Sequence, residues 1–194
     1  MKTDNRNGAV AMSKTTGSTD AVNYRLATQH DVDALVELIN AAYRPAAGAA
    51  GWTHEAALVD GARIGPVQLL ETLQAQDSVL IVAATRGALA GCIEVRANDD
   101  TAYIGTLAVS PSAQDRGLGK GLLNEAEQFA SRRWHLAKAV MTVLSARREL
   151  IDFYLRRGYV RTGHVTGYPI NAGVGIPRDA GLTIETLTKS IQPD

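Results

Sequence analysis

"TLAVSPSAQDRGLGKGLLNEAE" occupies residues 106–127, and its reading decides the fold. It opens as an apolar strand, turns at Ser110-Pro111, gathers three glycines and two cations, and continues as a helix. Leu118, Leu122, Ala126, Phe129, Ala130 and Trp134 recur on one face of that helix. A helix N-terminus carries unpaired N–H groups and a partial positive charge, and glycines before it let the backbone approach an anion. Arg116 and Lys120 add charge at the rim, so the stretch has the makings of a pyrophosphate site. A P-loop is excluded, because Gly121 stands where the magnesium-binding hydroxyl should follow Lys120. A dinucleotide fingerprint is excluded too: Gly117, Gly119 and Gly121 give GxGxG, not GxGxxG. The form QxxGxG matches, as Gln114, Gly117 and Gly119.

The rest of the chain bounds the possibilities. Its 194 residues fit one domain plus a tail, and 45% hydrophobic residues can fill a core. Twenty basic residues balance twenty acidic ones, which is not the footprint of a general nucleic-acid binder. The single cysteine, Cys92, allows no intrachain disulfide, fits a cytoplasmic location, and reads as a buried, inert thiol. No histidine–cysteine cluster has metal-ligand spacing, so no metal is expected. Residues 1–21 are polar and aperiodic and are expected to be a disordered tail, with the domain over 22–194. No stretch there suits a signal peptide or membrane anchor.

Along the domain, "NYRLA" (23–27) reads as a strand, and Thr28 with Asp31 forms a capping-box pattern before a helix that ends near Arg44-Pro45. Pro66 suits the first turn of a second helix. Residues 78–85 and 88–97 read as a hairpin turning at Arg86-Gly87, and 101–109 as the next strand. After the glycine-rich helix come a strand at 139–145, a helix stopping at Gly158, and two strands around a Gly/Pro-rich loop at 168–181. The order β α α β β β α β α β β implies a mixed α/β sheet, antiparallel at first.

"RRELIDFYLRRGYVRTG" (147–163) adds a second signature: a helix ending in tyrosine, three residues, glycine and an aromatic. With the 106–127 stretch, it resembles the acetyl-CoA-binding and tyrosine motifs of the GNAT family of N-acetyltransferases, and of its bacterial branches. The resemblance covers about residues 22–190. It implies a curved mixed sheet of six to seven strands flanked by about four helices, splayed between two central parallel strands, here 102–109 and 139–145. It implies acetyl-CoA as co-substrate: Leu107, Ala108 and Val109 would hydrogen-bond its pantetheine arm, the N–H groups of Arg116, Gly117, Leu118, Gly119 and Lys120 would hold its pyrophosphate, and Gln114 and Asp115 would belong to the same cofactor site. C-terminal strands often pair between subunits in the family, which allows a homodimer.

Tyr154 matches the family's tyrosine and is expected to be the general acid that protonates the leaving thiolate; an ordinary phenol pKa of about 10 suits that task. The family often has asparagine seven residues earlier; here Arg147 stands there, able to meet a CoA phosphate or the acceptor. The general base is open: Glu94 leads, ahead of Glu71, with a water chain as the alternative, and Thr142 lies where some relatives carry a glutamate. His30, His54, His135 and His164 form no catalytic group. "GWTHEAALVDGAR" (51–63) is expected to help build the acceptor site through Trp52, His54, Glu55, Asp60 and Arg63. Glu55 and Asp60 suit a cationic amine, Arg63 a carboxylate. The expected activity is direct acetyl transfer to a primary amine of a small or amino-acid-like acceptor. The alternatives are a peptide acceptor and a non-catalytic CoA sensor.

Overall fold

A computed structural model describes residues 21–45 and 54–192. Residues 1–20 of the expected tail, and Trp52, lie outside the described residues. The elements run β1 (Asn23–Leu26), α1 (Val32–Tyr43), β2 (Val59–Asp60), α2 (Pro66–Gln74), β3 (Ser78–Thr85), β4 (Ala88–Asn98), β5 (Thr101–Val109), α3 (Leu118–Trp134), β6 (Lys138–Leu144), α4 (Arg148–Leu155), β7 (Val160–Gly167), β8 (Ile176–Pro177) and β9 (Thr183–Ser190). The order expected from sequence is present, with the short β2 and β8 added.

Seven strands form one sheet in the order β1-β3-β4-β5-β6-β9-β7, and β2 pairs with β8 apart from it. Every neighbouring pair is antiparallel except β5 and β6. The β3–β4 turn at Arg86-Gly87 has φ of 51° and 80°, the pair of positive values that matches the twist of a two-residue hairpin.

β3 and β4 are apolar on both faces because both faces are covered. Ile81, Ile93, Val95 and Ile104 pack with Leu118, Leu122 and Ala126 of α3 and Ile151 of α4. Leu80, Val82, Cys92 and Ala108 point the other way, against Leu35 and Ile39 of α1 and Leu69 of α2. A third cluster, Val59, Leu144 and Leu182, ties β2 to the C-terminal half of the sheet.

Helix ends follow local chemistry. The Thr28 N–H donates to the Asp31 carboxylate at 2.8 Å, closing the expected box over a short 3-10 turn before α1. Pro66 starts α2, where its missing N–H costs nothing. α4 stops at Leu155, earlier than the sequence suggested. Tyr154 and Leu155 carbonyls then accept from Arg157 and Gly158, and Gly158 takes φ 87°.

Candidate active site

The sheet opens at its one parallel pair. β5 and β6 are in register only at Ala102–Ala139 and Tyr103–Val140; beyond those pairs β5 runs on to Val109 and β6 to Leu144 without pairing. The ladder of β5 against β4 slips at the same level, with Glu94 opposite Gly105 but Cys92 opposite Ala108. This bulge bends β5 away from β6. It contains Thr106 at φ 44°, a left-handed conformation that costs a β-branched residue roughly 1–2 kcal/mol. The Thr106 hydroxyl donates to Glu94 Oε2 at 2.9 Å, which holds the bulge. Tyr103, whose hydroxyl lies 3.1 Å from Thr142 Oγ1, spans the base of the opening.

A cleft of about 250 Å³ lies in the opening. Its walls include Leu107 and Val109 of β5, the loop and first turn of α3, and Leu150, Phe153 and Arg157 of α4. The volume is below the roughly 300–1,000 Å³ of sites that enclose a whole drug-sized ligand. It suits one arm of a longer molecule. Gly117 caps α3 with φ 75° and ψ 4°, and Asp115 before it has φ 63°. Two left-handed residues so close curl the loop into the concave form that gathers N–H groups around an anion. The first backbone bond of the helix is Gly121 N–H to Gly117 C=O, so Leu118, Gly119 and Lys120 keep N–H groups free for a ligand. Gly121 serves packing instead: a Cβ there would stand 2.0 Å from Tyr24 Oη of β1.

Tyr154 is 6% exposed, with its ring edge-on to Phe153 and Tyr159. Burial pushes its phenol well above the ordinary value, while the Arg147 and Arg157 charges oppose that rise. The phenol therefore keeps its proton at neutral pH, beside two cations that favour the phenolate once the proton leaves. Arg147 is buried, pairs through Nε with Glu149, and lies by Tyr154 rather than among the cleft-lining residues. Arg157 does line the cleft: its guanidinium lies 3.4 Å from the Phe153 ring centroid and its Nε is buried without a partner. The sequence reading passed over Arg157, whose signal was a second arginine four residues after an aromatic at a helix end.

The other wall belongs to α1 and a late loop. The Tyr43 hydroxyl donates to the Leu107 carbonyl at 3.1 Å. The short ladder of β2 with β8 pins residues 176–177 to 59–60. Arg178 binds Asp60 at 2.7 Å, and Arg44 binds both Glu55 at 2.8 Å and the Val174 carbonyl at 3.2 Å. The 168–181 loop is thus strapped to the α1–α2 connection. Glu94 is buried with both carboxylate oxygens engaged, one by Thr106 and one by Arg96.

The model of the acetyltransferase (GNAT) family matches residues 33–159. The chain belongs to that family. Similar solved structures include the ribosomal-protein-S18-alanine N-acetyltransferase from Escherichia coli, at 14% identity and TM-score 0.67 over 90% of this chain and 96% of that one. The PaiA N-acetyltransferase from Thermoplasma acidophilum in complex with coenzyme A is 18% identical, with TM-score 0.67 over 88% and 99%. The spermidine N-acetyltransferase from Vibrio cholerae in complex with CoA and spermine is 15% identical, with TM-score 0.64 over 87% and 95%. At these identities the likeness is one of fold. No curated protein matches the sequence. The GNAT chain is an N-acetyltransferase, and among the described residues no helix is long and apolar enough to cross a membrane.

Of the residues singled out in sequence, Leu107, Val109, Gln114, Asp115, Gly117, Leu118, Gly119 and Lys120 meet around the GNAT cleft. Ala108 points its side chain into the opposite core, and Arg116 is exposed beside the cleft lining. Glu94 meets Thr106 and Arg96, not Tyr154. Glu71 is exposed on α2.

Proposed function

We propose that this GNAT chain acetylates the primary amine of a small acceptor, which enters on the α1 side of the opened sheet while acetyl-CoA enters on the α3 side. Acetyl-CoA supplies the thioester carbonyl: the acceptor nitrogen forms the new C–N bond, the C–S bond breaks, and the sulfur leaves as CoA thiol. The donor fits the cleft, since an extended arm can lie along the part of β5 that β6 leaves unpaired. The cradle over Gly117–Lys120, with Arg157, suits a pyrophosphate. Tyr154 delivers the proton the departing sulfur needs. Both Glu94 oxygens are held by Arg96 and Thr106, so the proton the amine gives up passes through water towards Glu94, and one proton leaves as one arrives.

The observation that carries this reading is the divergence of β5 from β6 directly beside the left-handed cap of α3. The small acceptor is supported by the strap: β8, Arg178 and Val174 close over the α1–α2 connection, where a peptide acceptor would need an open groove. The test is thiol release from acetyl-CoA over a panel of amines, amino acids and lysine peptides, for the wild type and Tyr154→Phe. Amine-dependent turnover that falls at least roughly ten-fold in the variant, with CoA affinity kept, agrees with the proposal. CoA binding without turnover on any amine would refute it.

A further inference from the structure

The acids on the acceptor wall are already neutralised. Glu55 is paired with Arg44, Asp60 with Arg178 and Glu94 with Arg96. Arg63 is different. Its guanidinium lies over the Tyr43 ring, 5.1 Å from the centroid, and among the described residues no carboxylate pairs with it. The neighbouring segment outside the described residues, 46–53, contains no Asp or Glu that could do so.

Arg63 is also held in place. Asn40 of α1 clamps the backbone on both sides of it: its Oδ1 accepts the Arg63 N–H at 2.7 Å and the Ile64 N–H at 3.3 Å, and its Nδ2 donates to the Ile64 carbonyl at 3.0 Å. Ile64 is 6% exposed and anchors in the core under α1. The stacked ring belongs to Tyr43, which lines the cleft and touches β5 through the Leu107 carbonyl. Among the groups that feel the Arg63 charge are Tyr43, Tyr168 of the strapped loop, and Cys92, two residues from Glu94 on the same strand face. A guanidinium with no carboxylate partner among the described residues therefore stands against Tyr43 of the cleft wall. Each of those three acids is matched by an arginine, and the Arg63 charge comes in addition. Such a wall disfavours a second positive charge on the acceptor and favours a negative one.

We propose that the acceptor is an amine bearing a carboxylate, as an amino acid does, and that Arg63 receives the carboxylate while the amine faces the thioester. The proposal rests on the transferase reading above and names its substrate class. A guanidinium meets a carboxylate through two parallel hydrogen bonds, a geometry that an ammonium lacks.

The experiment compares free L-amino acids with their C-terminal amides, and with aliphatic diamines, as acceptors for the wild type, Arg63→Gln and Arg63→Lys. The wild type should use acids over the matching amides and diamines by roughly ten-fold or more in kcat/KM. Arg63→Gln should raise KM for the acids by about ten- to a hundred-fold and bring the acid-to-amide ratio towards one. Arg63→Lys should recover part of that ratio. A wild type that uses amides or diamines as well as acids overturns the proposal, with no variant needed. So does a ratio that survives Arg63→Gln. Absence of turnover on all three acceptor classes, with CoA still bound, refutes the small-acceptor reading above, and the acceptor class falls with it.

Discussion

Gly119→Ala separates what the glycine-rich turn does for the fold from what it does for the ligand. Gly119 lies in the first turn of α3 without a positive φ. A Cβ added there would meet Phe153 Cζ at 3.7 Å and Val109 Cγ2 at 3.8 Å, ordinary contacts that strain nothing. Alanine is favoured over glycine in helices by roughly 0.5–1 kcal/mol. The first turn realises only part of that, so Tm should hold or rise by about 1–3 °C for a chain of this size. Val109 and Phe153 both line the cleft, so the new methyl intrudes on the ligand's side. An anion oxygen about 2.9 Å from the Gly119 N–H brings its phosphate against the same Cα. CoA affinity should fall about ten-fold, or about 1.4 kcal/mol. Calorimetric titration with CoA beside a thermal melt reads both quantities. Unchanged affinity would show that no anion approaches Gly119 closely. A lowered Tm would refute the reading of the turn as unstrained.

Three further outcomes are expected. Gly121→Ala should cost about 1–3 kcal/mol of stability by overpacking, because its Cβ would stand 2.0 Å from Tyr24 Oη; Tyr24→Leu in the same chain should recover most of it in denaturant melts, and failure of that rescue would place the clash elsewhere. Tyr43, Tyr154 and Tyr159 are held well above the ordinary phenol value by burial. Their contribution to stability is therefore complete below about pH 10 and is lost as pH rises through the folded-state values; absorbance at 295 nm should show these three of the six tyrosines ionising only with global unfolding, and six phenolates in the folded chain would contradict it. Arg44→Gln leaves Glu55, whose side chain is 13% exposed, without its cation and removes the bond to Val174. That should cost about 3 kcal/mol, and Arg44→Gln/Glu55→Gln should regain much of it; a single variant within about 1 kcal/mol of wild type would mean the pair is solvated.

The strand–turn–helix of 106–127 was legible in sequence because each of its constraints is local. Gly117 is needed for a left-handed cap, Leu118, Leu122 and Ala126 follow the helical period, and Val109 ends a strand before Pro111. The parallel pair was legible only through family resemblance, since two matched positions, 102–139 and 103–140, leave no pattern of their own. The strap was invisible for a related reason. β2 and β8 are two residues each and meet across more than a hundred positions, so no period marks them. Gly121 looked like part of the phosphate loop, yet its smallness answers to Tyr24 on the far edge of the sheet.

The acceptor wall shows best where sequence reading must stop. Glu55, Asp60 and Arg63 stand within nine positions of one another, and as residue types they suit a cationic and an anionic acceptor equally well. The choice depends on which of the three charges is already spent. Glu55 is spent on Arg44 eleven residues before it, and Asp60 on Arg178 at the far end of the strap. Removing either partner should shift the wall towards cationic amines, because it frees an acid while Arg63 stays in place. Arg178→Gln is the milder test. The Asp60–Arg178 pair is exposed, at 60% and 54% of the two side chains, so its loss should move stability by less than about 1 kcal/mol. Discrimination against diamines should nevertheless weaken by several-fold. If the acid-to-diamine preference is indifferent to Arg178→Gln, Asp60 lies too far from the acceptor to count, and the preference rests on Arg63 alone.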